Sequence, residues 1–313
     1  MPGIGIIANP HSRRNQRNPN RMRRLAYVIG TQDRYEMTQS VEAISDVAKR
    51  FKDQDIDILA LNGGDGTNHV TLSAFVEVYG KTPLPRITFL RGGTMNTVAN
   101  GVGIQGSPSR LLANLVDKYY TQTPFESTHR NLLEIEDESK KRYGFIFGNG
   151  IVSNFLESYY EAEDPTPLSA AILLGRTISS IPFGGKSARA IVKPFRAELE
   201  VDGEIWPMQN YTSILASTIN QIGLGFRPFV RCEDGPDTFH VLGMTAGPMG
   251  VLKSLPRMRL GLAVKEDIMK SRAPKKAILR SPDAIAYTID GDMHRAQSEI
   301  ILSAGPRIEI ILK

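Results

Sequence analysis

The densest chemistry in this 313-residue sequence is the run Asn62-Gly63-Gly64-Asp65-Gly66-Thr67. Three glycines in four positions let backbone N–H groups close on a ligand, and a helix beginning there adds the positive end of its dipole, a combination suited to phosphate. Asp65 is a poor direct neighbour for phosphate. Its carboxylate is better suited to hold Mg²⁺, directly or through water, or to accept a proton. The plain alternative is a tight turn. Downstream, Gly92-Gly93-Thr94-Met95-Asn96 repeats the arrangement, with a helix start capped by Thr94 as its own alternative. Two such turns at the carboxyl ends of strands in one sheet would line a single crevice.

Asp290-Gly291-Asp292 follows the apolar run Ile285–Ile289. A carboxylate at a strand end can take a proton from a hydroxyl nucleophile if the fold brings it to the nucleotide, and the alternative is an Asp-Gly hairpin turn. Asp290, Asp292 and His294 would share a face of a continued strand, a thin donor set for a metal. Arg13, Arg14, Arg17, Arg21, Arg23 and Arg24 form a run without acidic residues. They could steer a nucleotide or an anionic membrane surface, or simply make a solvated face or loop. The run has no interleaved aromatics for base stacking, which argues against nucleic acid.

Other signatures fail. Gly184-Gly185-Lys186-Ser187 resembles the end of a Walker A loop, but Ser180 stands where its first glycine belongs. Gly101-Val102-Gly103-Ile104-Gln105-Gly106 matches the dinucleotide fingerprint by letter, yet follows a helical pattern rather than a strand and reads as a helix stop. No HExxH or GxSxG motif is present.

The elements that must position these residues alternate in the first part of the chain. Gly3–Asn9 reads as a buried strand and residues 38–53 as an amphipathic helix on Val41, Ile44, Val47, Ala48 and Phe51, capped by Thr38 or Ser40. A strand at Ile56–Leu61, a helix to about Tyr79, a strand at Arg86–Leu90 and a helix from about Met95 follow. Alternation with short connections predicts a parallel sheet with crossover helices. After about residue 128 short strands separated by turn residues dominate, among them Tyr143–Phe147, Ala197–Trp206, Thr212–Thr218, Val241–Thr245, Glu299–Leu302 and Arg307–Leu312. An apolar, helical segment at 165–185 interrupts them as a core helix, flap or pocket wall. The expected class is thus α/β, with domains at 1–128 and 129–313. Thirty-eight basic against 33 acidic residues leave a net charge of +5, which favours anionic partners without choosing among them. The single cysteine, Cys232, excludes an internal disulfide and multi-cysteine metal sites. No apolar run approaches the ~20 residues of a membrane span, and no secretory signal opens the chain. A cytoplasmic protein, at most peripheral to a membrane, is expected.

The motif set resembles the diacylglycerol kinase catalytic family, lipid kinases that include bacterial diacylglycerol kinases and the sphingosine and ceramide kinases. Asn9-Pro10-His11-Ser12 is similar to its N-terminal Asn-Pro-x-Ser turn, Asn62–Thr67 to its glycine-rich loop, Gly93–Asn96 to its Gly-Thr-x-Asn motif, and Asp290–Asp292 to its Asp-Gly-Glu. The resemblance implies a Rossmann-like parallel-sheet nucleotide domain followed by an antiparallel β-sandwich, with the last strand or strands able to return to the first domain. It also implies ATP with Mg²⁺ as cofactors, and γ-phosphoryl transfer to a lipid hydroxyl at a membrane surface. The implied partners are the lipid substrate and anionic phospholipid, not nucleic acid; a homodimer is compatible. By this likeness Asn9, Thr38, Asn62, Gly63, Gly64, Gly66, Thr67, Gly93, Thr94 and Asn96 serve the nucleotide, Asp65 and Asp290 are catalytic, and Asp65, Asp234 and Asp237 are candidate metal ligands. Val70 stands where the family has a carboxylate, Arg91 where proline is usual, and Thr97 where bacterial members have aspartate. The alternatives are a non-catalytic nucleotide- or lipid-binding relative and a soluble-substrate kinase of the NAD kinase kind, which shares a Gly-Gly-Asp-Gly loop.

Overall fold

A computed structural model describes residues 3–17, 34–38, 40–161 and 166–313. The chain forms two units, Met1–Arg130 with Pro306–Lys313, and Asn131–Gly305.

In the first unit four strands, β1 (Ile4–Ala8), β2 (Tyr35–Met37), β3 (Ile58–Asn62) and β4 (Arg86–Phe89), pair in parallel in the order β4-β3-β1-β2. The end of strand Glu299–Ile311 adds alongside β4, with Ile310 beside Ile87. β1 and β3 are buried along their whole length, as unbroken apolar runs must be when helices cover both faces. The helices are α1 (Arg13–Gln16), α2 (Val41–Asp53), α3 (Asp65–Tyr79), α4 (Thr97–Gly101) and α5 (Pro108–Tyr120). α2 starts at Ser40, whose hydroxyl accepts from the Ala43 amide, and buries Ile44, Val47, Ala48 and Phe51. Phe51 meets Phe75 of α3 edge-on at 6.4 Å. It reaches the sheet because Gly5 has no side chain: a Cβ there would lie 2.6 Å from the Phe51 ring. On the other face Ile4, Ile6, Ile58 and Ala60 pack with Leu112 and Leu115 of α5.

One helix from about Met95 is expected and two are found. Val102–Gly106 separates α4 from α5, with Gly103 at φ +91° and Gly106 at φ +127°, so the fingerprint-like run is a helix stop. Ser107 then caps α5 and Pro108 occupies its first turn.

The second unit is antiparallel. One sheet runs in the order Met269–Arg272, His240–Met244, Ser213–Ser217, Ile146–Asn149, Ile285–Ile289, Asp292–Ala296. A second group contains Glu204–Ile205, Glu198–Val201, Lys276–Arg280 and the start of Glu299–Ile311. Leu199, Leu279 and Ile300 from this group share one core with Phe147, Ile214, Val241 and Tyr287 from the first, which makes the unit a β-sandwich. Glu299–Leu302 and Arg307–Leu312 are expected as two strands but form one, continuous through Gly305-Pro306. Helices Ile151–Tyr160, Pro167–Ser180, Lys186–Ile191 and Pro248–Leu260 complete the unit, and only the second is foreseen by the sequence.

His240, at the start of its strand, is buried and accepts from the Arg231 amide through Nδ1 at 3.4 Å. Burial and the Arg231 charge push its pKa down to about 4, against a smaller opposing pull from Asp234. A histidine depressed in the folded state is protonated first in the unfolded chain, so stability falls as pH drops from about 6.5 toward 4. Denaturant unfolding at pH 7 and pH 4.5 is expected to show His240→Gln losing about 2 kcal/mol less over this interval than the parent. Parallel losses in both proteins would refute this origin.

Candidate active site

The sequence-predicted nucleotide residues of the first unit converge at the carboxyl ends of its parallel strands. Asn9 follows β1, Thr38 follows β2 and buries itself with its amide on the Ala8 carbonyl, Asn62 ends β3, and Gly92-Gly93 lies just beyond β4. The two glycine turns touch. A Cβ on Gly93 would lie 2.3 Å from the Gly64 Cα, and one on Gly92 would lie 2.5 Å from Asn62 Oδ1 and 3.0 Å from the Gly63 amide nitrogen. Side chains at Gly92 or Gly93 would push the turns apart, so glycine is required on the second turn's side of the contact, while a Cβ on Gly64 would meet the Gly93 Cα at 3.4 Å, an ordinary contact.

Polar contacts tie the edge together. Asn9 Nδ2 donates to Thr67 Oγ1 at 2.8 Å, and Asn15 Nδ2 donates to the carbonyls of Asn9 at 2.8 Å and Asn62 at 3.1 Å. Asn96, at φ +49°, turns its amide back on Gly93, accepting from its N–H at 3.1 Å and donating to its carbonyl at 2.9 Å. Asp65 crosses between the motifs: its carboxylate accepts from the amides of Thr97 at 2.9 Å and Val98 at 3.0 Å. It thereby caps α4, which begins at Thr97, later than expected and without Thr94 as its cap.

Arg91 stands at φ +59°, a conformation closed to a pyrrolidine ring, so this turn differs in backbone from one carrying proline. Its guanidinium donates to Asn100 Oδ1 and the Ile104 carbonyl, while Arg14 donates to the Arg91 carbonyl at 3.3 Å. Burial first, and the Arg14 charge second, lower the Arg91 pKa, with Asp65 opposing. Of the arginine run, Arg21, Arg23 and Arg24 lie outside the described residues.

The edge fits a phosphate chain. α3 opens at Gly64, which has no side chain to cap the first-turn amides, so these N–H groups and the helix dipole face the turn. Asn62 is fully buried with neither end of its amide in a hydrogen bond, polar capacity that a ligand could take up. For Mg²⁺ the protein's own donors are sparse. Among the described residues no group of three or more His, Cys, Asp or Glu is placed to hold a metal ion. Asp65 is the carboxylate on this edge, consistent with an ion carried mainly on phosphate oxygens.

Asp290 belongs to the second unit. With Gly291 it forms the two-residue turn between Ile285–Ile289 and Asp292–Ala296, at φ +50° and +97°, the pattern of a type I′ hairpin. Its buried carboxylate accepts from the amides of Phe145 at 3.0 Å and Ile146 at 2.8 Å, and Tyr160 Oη donates to the Gly291 carbonyl at 2.9 Å. Gly144 gives it room, since a Cβ there would lie 2.9 Å from Asp290 Oδ2. Asp234 and Asp237 are exposed, and Asp234 pairs with Arg231 at 2.7 Å.

Residues 4–125, carrying both glycine turns, match the model of the diacylglycerol kinase catalytic domain. This segment belongs to the diacylglycerol kinase catalytic family. The family of this segment supports a phosphotransferase and implies ATP as its phosphoryl donor. A comparison with curated proteins found no match. Among solved structures, a diacylglycerol kinase from Bacillus anthracis strain Sterne superposes with a TM-score of 0.64 at 13% identity, covering 100% of this chain and 97% of the other. A candidate diacylglycerol kinase from the same strain gives 0.69 at 14%, with the same coverage. A yeast NADH kinase complexed with NADH gives 0.52 at 10%, covering 100% and 84%. At these identities the likeness is one of fold, the α/β unit with an antiparallel sandwich.

Gly93→Ala is expected to weaken binding of Mg-ATP to the catalytic domain at least about tenfold by calorimetry, because the added methyl meets backbone rather than a movable side chain. Unchanged affinity would show that the contact between the turns is dispensable. Sequence reasoning missed Asn15, masked by the arginines around it, and Gly144, which stands 146 positions from the carboxylate it accommodates and carries no local signal.

Proposed function

We propose that the chain transfers the γ-phosphoryl group of ATP to the hydroxyl of a membrane lipid of the diacylglycerol or sphingosine type. The observation that carries the reading is the contact between the two glycine turns at one sheet edge, within a segment of the diacylglycerol kinase catalytic family. In this reading the amides of Gly63, Gly64, Gly66, Thr67 and Gly93 bind phosphate oxygens, with Asn9, Thr38, Asn62, Thr94 and Asn96 shaping the cradle. Asp65 holds the loop in register and offers a carboxylate toward magnesium. Bound on the phosphates, magnesium would supply neutralisation of the charge that develops during transfer. Asp290 accepts the proton of the lipid hydroxyl as its oxygen bonds to the γ-phosphorus. The bond from that phosphorus to the β–γ bridging oxygen breaks, and ADP leaves.

The yeast NADH kinase fold supports a second reading, a soluble dinucleotide as acceptor. Labelled ATP and Mg²⁺ with vesicles containing diacylglycerol, sphingosine, ceramide or phosphatidylglycerol separate the two. Label in a lipid is expected. Label in NAD alone would favour the soluble acceptor, and nucleotide binding without transfer to either would favour a non-catalytic relative.

A further inference from the structure

Helix Pro167–Ser180 is amphipathic in an inverted sense: it turns Ala170 and Thr177 inward and leaves Leu168 and Ile172 exposed. The 3₁₀ turn that follows, Ile181–Phe183, ends on Phe183, which is 87% exposed. Helix Pro248–Leu260 packs against that turn and presents Met249 and Leu260, with Leu262 just beyond. The loop at 223–231 packs against both helices; the Arg227 amide donates to the Met258 carbonyl at 2.7 Å, and Val230 is exposed. Seven of the eleven exposed large hydrophobic side chains among the described residues therefore fall within 166–193, 223–231 and 246–265. These stretches carry ten Lys or Arg and no Asp or Glu, acidic residues resuming at Asp164, Glu233 and Glu266; of the ten, Arg231 pairs with Asp234.

We propose that this apolar, predominantly basic face of the second unit is where the protein docks on an anionic lipid bilayer, with Phe183 entering the interface. The inference rests on the lipid kinase reading for its choice of partner and adds to it the surface that makes contact. Charge complementarity selects the occupant. A second copy would bring like charges face to face, whereas anionic headgroups neutralise them while the acyl region takes the exposed Leu, Ile, Met and Phe. No helix among the described residues is long and apolar enough to cross a membrane, so the contact is with the surface layer.

Sedimentation of the full chain with phosphatidylcholine vesicles, with and without phosphatidylglycerol, tests this. The parent is expected to partition at least about tenfold more strongly onto the anionic vesicles. Phe183→Asp and the double variant Arg176→Glu/Lys253→Glu should each lose about tenfold of that gain, with Mg-ATP affinity by calorimetry unchanged. These side chains are exposed, so folding should be kept. Equal partitioning of parent and variants would overturn the proposal, as would a parent dimer in analytical ultracentrifugation that Phe183→Asp dissociates. Vesicle binding that depends on these residues, without phosphorylation of any lipid, would sustain the docking surface while refuting the lipid acceptor.

Discussion

Asp290→Asn is expected to lower turnover at least ~100-fold, the range for removal of a positioned proton acceptor. The substitution suits the test because its structural cost is small. Asn tolerates the positive φ of a type I′ turn nearly as well as Asp, and its amide oxygen can still accept from the backbone. What it cannot do is take a proton. The Asp290 carboxylate accepts from the Phe145 and Ile146 amides, so the turn should keep its place with one of these bonds weakened. The signature is therefore a drop in kcat with little change in KM for ATP and a modest shift in thermal midpoint. Turnover near that of the parent would remove Asp290 from the chemistry and leave it the hairpin residue that its dihedral angles also describe.

Asp65→Asn should match that loss, again at least ~100-fold, with a different signature. Here both carboxylate oxygens receive amides, Oδ2 from Thr97 and Oδ1 from Val98. An Asn side chain would turn an NH₂ toward one of these donors and remove the negative charge at the start of α4. The glycine turn preceding α4 should lose its register with the loop before α3. Affinity for Mg-ATP should fall together with kcat, and the magnesium concentration needed for half-maximal activity should rise. A variant with parental activity and magnesium dependence would reduce Asp65 to a helix cap.

The α/β part was legible because its signals are local. Glycine clusters between an apolar run and a periodic one, as at Leu61–Thr67, announce a strand, a turn and a helix start within a dozen residues. The helices of the second unit were not. Pro248–Leu260 contains Pro256 and Gly250, residues that count against a helix, yet tertiary packing of Val251, Ser254 and Met258 holds it. Ile151–Tyr160 starts at Gly150, at φ +62°, directly after a strand, with no polar cap to mark it. Asn9 and the two glycine motifs could be placed from the sequence, since each follows an apparent strand, whereas Thr38 reads there as a helix cap and enters only through the family resemblance, the short strand Tyr35–Met37 before it carrying no clear signal. Their mutual contacts could not: that Gly93 presses on Gly64, or that Asp65 secures Thr97, is decided by strand order. The surroundings of Asp290 depend likewise on pairing between distant strands, which brings Phe145 and Ile146 to a turn 145 and 144 residues further along.

The strand that ends beside β4 also bears on how the chain is made. Thr88 Oγ1 donates to the Ile311 carbonyl across 223 residues, and Glu126 exchanges backbone hydrogen bonds with Leu312 and Lys313. On the ribosome, the half that emerges first must therefore wait with one flank of its sheet bare until the segment 306–313 has been translated, while the intervening sandwich can already condense. Loop closure over such a span is slow, and an unpaired flank invites self-association. Synthesis of residues 306–313, rather than emergence of the first 130 residues, should set the moment at which the sheet edge carrying the two glycine turns is completed.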